Sequence, residues 1–393
     1  MSAASADELK ARVCAEVDAR AGELIDIAHQ IHARPELGFE EFFAHELLTD
    51  SLERAGLAPD RKAYGMDTAF VARAGVDGPT VAVLCEYDAL PEVGHACGHN
   101  VIAAAGLGAG LAAASVAREL GGRVVILGCP AEEVPPCGKV GLIERGAFED
   151  VDAALMVHPA DADMIAMNTL AAVGYQVDYR GRAAHAAAAP EHGVNALDAA
   201  VLGYTAIGAL RQHIAEDERV HGIFVKAGDR ANVVPDHVVA RWSVRSGTSA
   251  RLDALIPRVR ACLEGAATAT GCTVVITELV RGNEVRTNPA LVAAYVNNMA
   301  RLGRVVGDPA DGGGTTGSTD MGEVSYRVPA IHPLIALAPA GVKIHEREFA
   351  AAAVSEAADR AVVDGAKAMA MTIVDYWADS SLRATARAEI DAA

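Results

Sequence analysis

Three short apolar runs separated by helical stretches constrain this chain more than any other feature. They are T-V-A-V-L-C-E-Y (80–87), R-V-V-I-L-G-C-P (123–130) and A-A-L-M-V-H-P (153–159). Each has the length of a strand buried on both faces. Between the first two lies V-I-A-A-A-G-L-G-A-G-L-A-A-A-S-V-A (101–117), apolar all round and therefore a packed helix. Between the second and third, V-G-L-I-E-R-G-A-F (140–148) reads as a helix ending at Gly146. Strand–helix–strand alternation of this kind predicts an α/β domain with a mostly parallel sheet. An amphipathic helix over 7–33, ending before Pro35, precedes it.

After Gly174 the pattern changes. Y-Q-V-D-Y-R-G alternates in polarity, a helix follows over 194–213, and two strands come next, H-G-I-F-V-K-A-G and V-V-A-R-W-S-V-R. A helix over 250–266 and the strand C-T-V-V-I-T-E-L complete a β-α-β-β-α-β order, the ferredoxin-like arrangement. From about residue 287 the α/β pattern resumes and closes with a long helix over 350–376. A chain of 393 residues is too long for one ordinary core. The expected organisation is a discontinuous first domain, 1–173 with 287–393, carrying an inserted domain, 174–286.

Hydrophobic residues make up 51% and aromatics only 4%, which points to alanine-lined, closely packed helices. The formal net charge of -18 repels phosphate backbones, so nucleic acid is not an expected partner. The same field requires a local arginine for any anionic substrate. The first ten residues have no apolar signal core, and glycines break the apolar segment 101–117, so no membrane span is expected. The seven cysteines are odd in number and irregular in spacing, which argues against a disulfide framework and for a cytoplasmic location.

In open α/β sheets, ligands bind beyond the carboxyl ends of the strands. Here the first strand leads to Asp88 and then to E-V-G-H-A-C-G-H-N, which packs His95, Cys97 and His99 into five residues. The second runs into P-A-E-E, giving Glu132 and Glu133, and the third carries His158 at its end. The apolar run I-A-L-A-P-A-G-V-K leads to His345. Taken singly, these residues are as compatible with a core histidine, a chance cluster or a solvated helix start as with ligation. Together at strand ends they favour a site. Cysteine, histidine and carboxylate are ligands for divalent metals, and five of them are too many for one open tetrahedral ion. They suit two ions sharing a bridge, with a spare carboxylate as base. Other motifs fail. G-L-G-A-G (106–110) lies inside a helix and lacks the full dinucleotide spacing, C-G-K-V (137–140) is not a phosphate loop, and G-S-T-D-M-G (317–322) is not a nucleophile elbow.

The ordered set E-Y-D-A-L-P, G-H-A-C-G-H-N, C-P-A-E-E and M-V-H-P resembles metallopeptidase family 20, in its branch of aminobenzoyl-glutamate hydrolases, N-acyl amino acid amidohydrolases and dipeptidase-like aminoacylase relatives. The likeness continues through H-A-R-P-E-L-G-F-E-E, G-R-A-A-H-A-A-A-A-P-E-H-G-V-N-A-L-D-A, R-V-H-G-I and G-S-T-D-M-G-E-V-S-Y. The resemblance implies a di-metal catalytic domain with an inserted lid, through which the chain forms a homodimer. It implies Cys97 as the bridging ligand, Glu133 and His345 on one ion, and His99 and His158 on the other. Glu132 would be the general base and acid, and Asp88 would support the metal site. Glu86 stands where much of the wider family has a histidine ligand. His185 would stabilise an oxyanion in the partner's site. Asn232 and Arg245 would hold the substrate's carboxylate, and Gly317 and Ser318 would line the cleft. The expected cofactors are two divalent ions per chain, zinc or manganese, with cobalt and nickel compatible with the same ligands. The expected activity is cleavage of N-acyl or aminobenzoyl amino acids bearing a free carboxylate. The alternatives are a metallo-dipeptidase acting on free dipeptides and a catalytically inactive binding relative.

Overall fold

The structure is a computed structural model and describes residues 4–311 and 316–391. These fold as two compact units, one from the N-terminal 168 residues together with Val285 onward, the other Thr169–Glu284.

The first unit is built on a six-stranded sheet in the order Asp60–Arg61, Phe70–Gly75, Arg123–Cys129, Thr80–Glu86, Ala153–Leu155, Ala330–Ile331. The last four strands run parallel, and Phe70–Gly75 joins them antiparallel. Every residue of Thr80–Glu86 is buried, as a central strand covered on both faces must be. The helix His99–Leu120 crosses from this strand to its neighbour Arg123–Cys129. It is long and apolar enough to span a membrane by composition, yet it is buried within this unit. A Cβ at Gly106 would lie 2.8 Å from Cys85 Sγ, at Gly108 2.6 Å from Leu24 Cδ1, and at Gly110 2.3 Å from Ile126 Cγ1. The G-L-G-A-G spacing is thus a packing device. The helices Ala6–Ala33 and Glu356–Ala378 cover the same core.

Several boundaries differ from the sequence expectation. The run 153–159 is two strands, Ala153–Leu155 and His158–Ala160, the second paired with Leu334–Ala336. His332 and Pro333 stand opposite the gap, and proline has no N–H for a ladder. The closing helix is broken into Arg347–Ala352 and Glu356–Ala378, because Ser355 caps the second piece by accepting from Ala358 N. The helix expected over 140–148 is Gly138–Glu144. The helix Phe42–Arg54 and the strand Phe70–Gly75 are not among the expected elements.

The second unit is an antiparallel sheet in the order Thr273–Gly282, Ala171–Arg180, His237–Ser246, Arg219–Lys226. The helices Ala196–Leu210 and Ser249–Thr270 share its core. Burial alternates along Ala171–Arg180, with Val173, Tyr175, Val177 and Tyr179 inward. This is the ferredoxin-like α+β arrangement.

Candidate dinuclear metal centre

The site grows from strand ends in the first unit. Thr80–Glu86 delivers Tyr87 and Asp88, both buried. The chain then turns through Gly94 and Gly98, each with positive φ. A Cβ at Gly98 would sit 2.9 Å from Pro159 Cγ, so only glycine lets the loop close on His158–Ala160. Cys97 Sγ comes 3.4 Å from His158 Nε2, and His99 opens the helix that follows. His345 has φ 72, and its backbone N–H donates to the Ala96 carbonyl at 2.8 Å. That bond ties the C-terminal histidine to the same loop. His345 Nε2 lies 3.4 Å from Glu133 Oε1.

Three sets of donor atoms gather within 4.8 Å of one another: Cys97, His99 and His158; Cys97, Glu133 and His345; His99, Glu132 and Glu133. Cys97 is common to the first two. A cavity of about 440 Å³ opens over them, lined by Cys97, Glu132, Glu133, His158 and His345 and also by Gly317, Ser318 and Lys343.

The hydrogen bonds leave the ligand atoms of these side chains facing one another. His99 Nδ1–H donates to Asp88 Oδ1 at 2.8 Å, and its buried Nε2 has no hydrogen-bond partner. His158 Nδ1–H donates to the Pro159 carbonyl at 2.8 Å, which turns its Nε2 toward Cys97. Glu133 N donates to Asp88 Oδ2 at 3.0 Å, and Glu133 Oε1 is buried without a hydrogen-bond partner. Metal-binding histidines commonly show this pattern, one ring nitrogen fixed by a carboxylate or carbonyl and the other open. The donors fit divalent ions.

Burial sets most of the electrostatics. It pushes the Cys97 thiol up, a cost that a bound cation reverses. Burial and the neighbouring His99 push His158 down to about 4, which keeps its ring neutral. Burial and the charges of Glu86 and Asp320 push the Glu132 carboxyl well up, although part of the residue stays exposed. For Glu133 burial acts upward too, but the His345 ring beside it and the charge of His99 outweigh it and hold the carboxyl low.

Sequence reasoning missed the group behind the site. Lys139 is fully buried, and its Nζ pairs with both Glu86 and Asp320. Lys139 N also donates to Asp320 Oδ2 at 3.0 Å, and Glu86 Oε2 lies 3.5 Å from His99 Nε2. A lysine at a helix start reads as solvated, so nothing in C-G-K-V marks it. His332 is another buried ring, 5.3 Å from that of His158 and perpendicular to it.

The remaining expected residues lie in the second unit, and all are exposed. His185 Nδ1 accepts from the N–H groups of Ala187 at 3.3 Å and Ala188 at 3.2 Å, so a neutral ring carries its proton on Nε2. Asn232 is its neighbour, since His185 bridges Val233 and Ala186 N donates to the Asn232 carbonyl. Arg245 is elsewhere. It faces Ala172 near the far end of the strand that His237 begins, roughly 26 Å from His237 at the usual strand rise. One chain therefore does not bring Asn232 and Arg245 to the same carboxylate.

Residues 76–374 match Peptidase family M20/M25/M40. The chain is 40% identical to the mouse (Mus musculus) Xaa-Arg dipeptidase over 95% of its own length and 90% of that protein. It is 37% identical to one of the p-aminobenzoyl-glutamate hydrolase polypeptides of Escherichia coli over 63% of its length and 56% of that protein. Among solved structures, a dinuclear metal-binding peptidase of the M20 family from Bacillus subtilis superposes with a TM-score of 0.71 at 21% identity, covering 91% of this chain and 99% of the other. An aminobenzoyl-glutamate utilization protein from Klebsiella pneumoniae gives 0.66 at 22%, covering 88% and 96%. At those identities the structures speak to the fold. With the donor cluster, the matched span and the near full-length relatives in agreement, the chain belongs to peptidase family M20/M25/M40 and is a metal-dependent hydrolase.

Proposed function

We propose that this chain hydrolyses the amide bond joining an acyl or aminoacyl group to an amino acid that keeps a free carboxylate. The observation that carries the reading is the gathering of donors around Cys97 in one cavity with a further carboxylate, Glu132. Cys97, Glu133 and His345 would hold one divalent ion, and Cys97, His99 and His158 the other. Zinc and manganese suit this set, and cobalt and nickel are compatible with it. When bound, such ions supply Lewis-acid polarisation of a carbonyl and a lowered pKa for water.

The chain's own residues do the rest. Asp88 orients His99 and Glu133 through its two oxygens. Glu132 takes the proton of the attacking water and returns it to the leaving amine. A carboxyl whose proton affinity is raised by burial suits the second half of that cycle. In a homodimer the His185 Nε2–H of one copy would donate to the carbonyl oxygen in the other copy's site as charge builds on it. The Arg245 guanidinium pairs with the free carboxylate. Asn232 lies in the loop that precedes the strand His237–Ser246 and Arg245 near that strand's far end, so a joint role requires one from each of two copies. A homodimer through the inserted unit supplies them, and the edge strand Arg219–Lys226, with Ile223, Phe224 and Val225 exposed, supports that assembly. Seven free cysteines support a reducing compartment, the cytoplasm.

Two substrate classes compete. Aminobenzoyl-glutamate and other N-acyl amino acids need only the carboxylate anchor, whereas free dipeptides add an amine. The high coverage of the relative named as an Xaa-Arg dipeptidase favours the dipeptide class. The deciding experiment loads the protein with zinc or manganese and assays Xaa-Arg dipeptides beside p-aminobenzoyl-glutamate and N-acetyl amino acids. Chelator-sensitive cleavage of any of these supports the reading, and cleavage of none sinks it. In the same assay Glu132→Ala is expected to keep both ions and lose about 10²–10⁴-fold in turnover. Unchanged turnover would remove Glu132 from the chemistry.

A further inference from the structure

The segment H-A-R-P-E-L-G-F-E-E belongs to no strand end and supplies no candidate ligand. Its Glu41 nevertheless reaches the backbone just before Glu132. Glu41 occupies the N-cap position of the helix Phe42–Arg54, where a side chain ordinarily bonds the first free N–H groups of its own helix. Glu41 does not cap it. Glu36 does so instead, accepting from Phe43 N at 3.0 and 2.9 Å and from Ala44 N at 3.0 Å. Glu41 is thereby released to point inward, where it is 0% exposed. Its Oε1 accepts the N–H of Ala131 at 2.7 Å, and its Oε2 accepts from Thr68 Oγ1 at 2.8 Å. Thr68 is held in turn, its carbonyl accepting from Tyr87 Oη at 2.5 Å.

Ala131 is an unusual residue to find there. It has φ 53, in the left-handed region that residues with a Cβ seldom adopt. The turn Pro130–Glu133 needs that conformation to leave the strand Arg123–Cys129 and aim two successive carboxylates at the cavity. The Ala131 carbonyl is fixed by Gly138 N at 3.0 Å. Gly38 closes the arrangement, because a Cβ there would come 2.9 Å from Ala131 Cβ and 3.0 Å from Val134 Cγ2. A backbone strained at φ and held by a buried carboxylate on one side and a glycine contact on the other is over-determined.

We propose that Glu41 is a positioning residue for catalysis: through the Ala131 N–H it holds the turn that aims the Glu132 carboxylate, with Gly38 and Glu36 as the features that allow it to reach. This rests on the reading of Glu132 as the base. Glu41 touches no substrate atom and no candidate ligand. Burial pushes its carboxyl up to about 7, so the neutral amide of glutamine is a fair stand-in near neutral pH.

The test compares Glu41→Ala, Glu41→Gln and Glu132→Ala as metal-loaded proteins on whichever substrate the panel identifies. Glu41→Ala is expected to lose about 100-fold in kcat, the usual cost of misplacing a catalytic group by about 1 Å. KM and the number of ions per chain should stay unchanged. Glu41→Gln keeps an acceptor for Ala131 N and should recover most of that loss. Amide hydrogen exchange over 130–134 in the metal-free protein should quicken in Glu41→Ala and not in Glu41→Gln. Should Glu41→Ala fail to fold, Gly38→Ala makes the same decision, since its methyl would push Ala131 out of place. A folded Glu41→Ala or Gly38→Ala with unchanged kcat overturns the proposal, as does a loss explained wholly by missing metal. If Glu132→Ala loses turnover while these variants keep it, the positioning role alone has failed. If Glu132→Ala keeps turnover, the base assignment has failed.

Discussion

Two strands of this molecule obey opposite rules. Thr80–Glu86 is buried at every residue, whereas Ala171–Arg180 is buried only at alternate ones. Along the first, no side chain can meet water, so polar groups collect past its end, where Asp88, Cys97 and His99 begin the site. Along the second, every other side chain faces outward and is partly or fully exposed, so polar groups such as Gln176 and Asp178 occur within the strand itself. The same contrast separates two ionic clusters. Lys139, Glu86 and Asp320 are sealed from solvent, while Arg281, Glu278 and Asp253 all stand at least one-third exposed. Burial makes a polar group costly to leave unpaired and valuable to place well, and exposure makes it nearly neutral.

That contrast can be broken by measurement, because each unit holds one tryptophan, Trp377 in the first and Trp242 in the second. Fluorescence of single-tryptophan forms during denaturant unfolding reports each unit separately. Lys139→Met leaves two buried carboxylates without their cation and should destabilise the first unit by about 3–5 kcal/mol. A smaller loss would mean that water or a proton already compensates that cluster. Gly106→Ala forces a methyl against Cys85 Sγ and the Leu84 carbonyl, both 2.8 Å away, and should cost about 1–3 kcal/mol. The same change at Gly208, in the helix Ala196–Leu210, meets nothing within 4 Å. It should stabilise the second unit by about 0.4–1 kcal/mol, so the two glycines should differ in sign. Least affected should be Arg281→Ala, which removes two exposed pairs and should shift stability by less than about 1 kcal/mol. A loss as large as that of Lys139→Met would erase the distinction between the two clusters.

The fold was legible wherever burial imposes a period. The continuous apolar runs at 80–87 and 123–130 and the alternation in Y-Q-V-D-Y-R-G each correspond to a strand. Legibility failed where hydrogen bonding rather than periodicity sets an element, as at Ser355, which splits the closing helix, and at Pro333, which interrupts the ladder. At the site, Cys97, His99, Glu133, His158 and His345 could be picked out because strand ends are where an α/β sheet exposes function, and the structure gathers them. Lys139 and Glu41 could not be picked out. Their importance comes from what they touch, Asp320 at one place and Ala131 at the other, across separations of 181 and 90 residues. Arg245 shows the converse limit, since a motif names a residue without saying at which end of a strand it stands.

The glycines of the helix His99–Leu120 have one more consequence. Approaches of 2.3–2.8 Å to neighbouring atoms from three hypothetical Cβ positions mean that the helix lies close against the sheet at Gly106 and Gly110 and against the neighbouring helix at Gly108. His99 is its first residue, and the buried imidazole is held by Asp88 on one side. Its ordering is complete once the chain has folded. An arriving ion meets a donor already in place, its affinity is not diminished by gathering that ligand, and whatever affinity results adds to the stability of the folded chain.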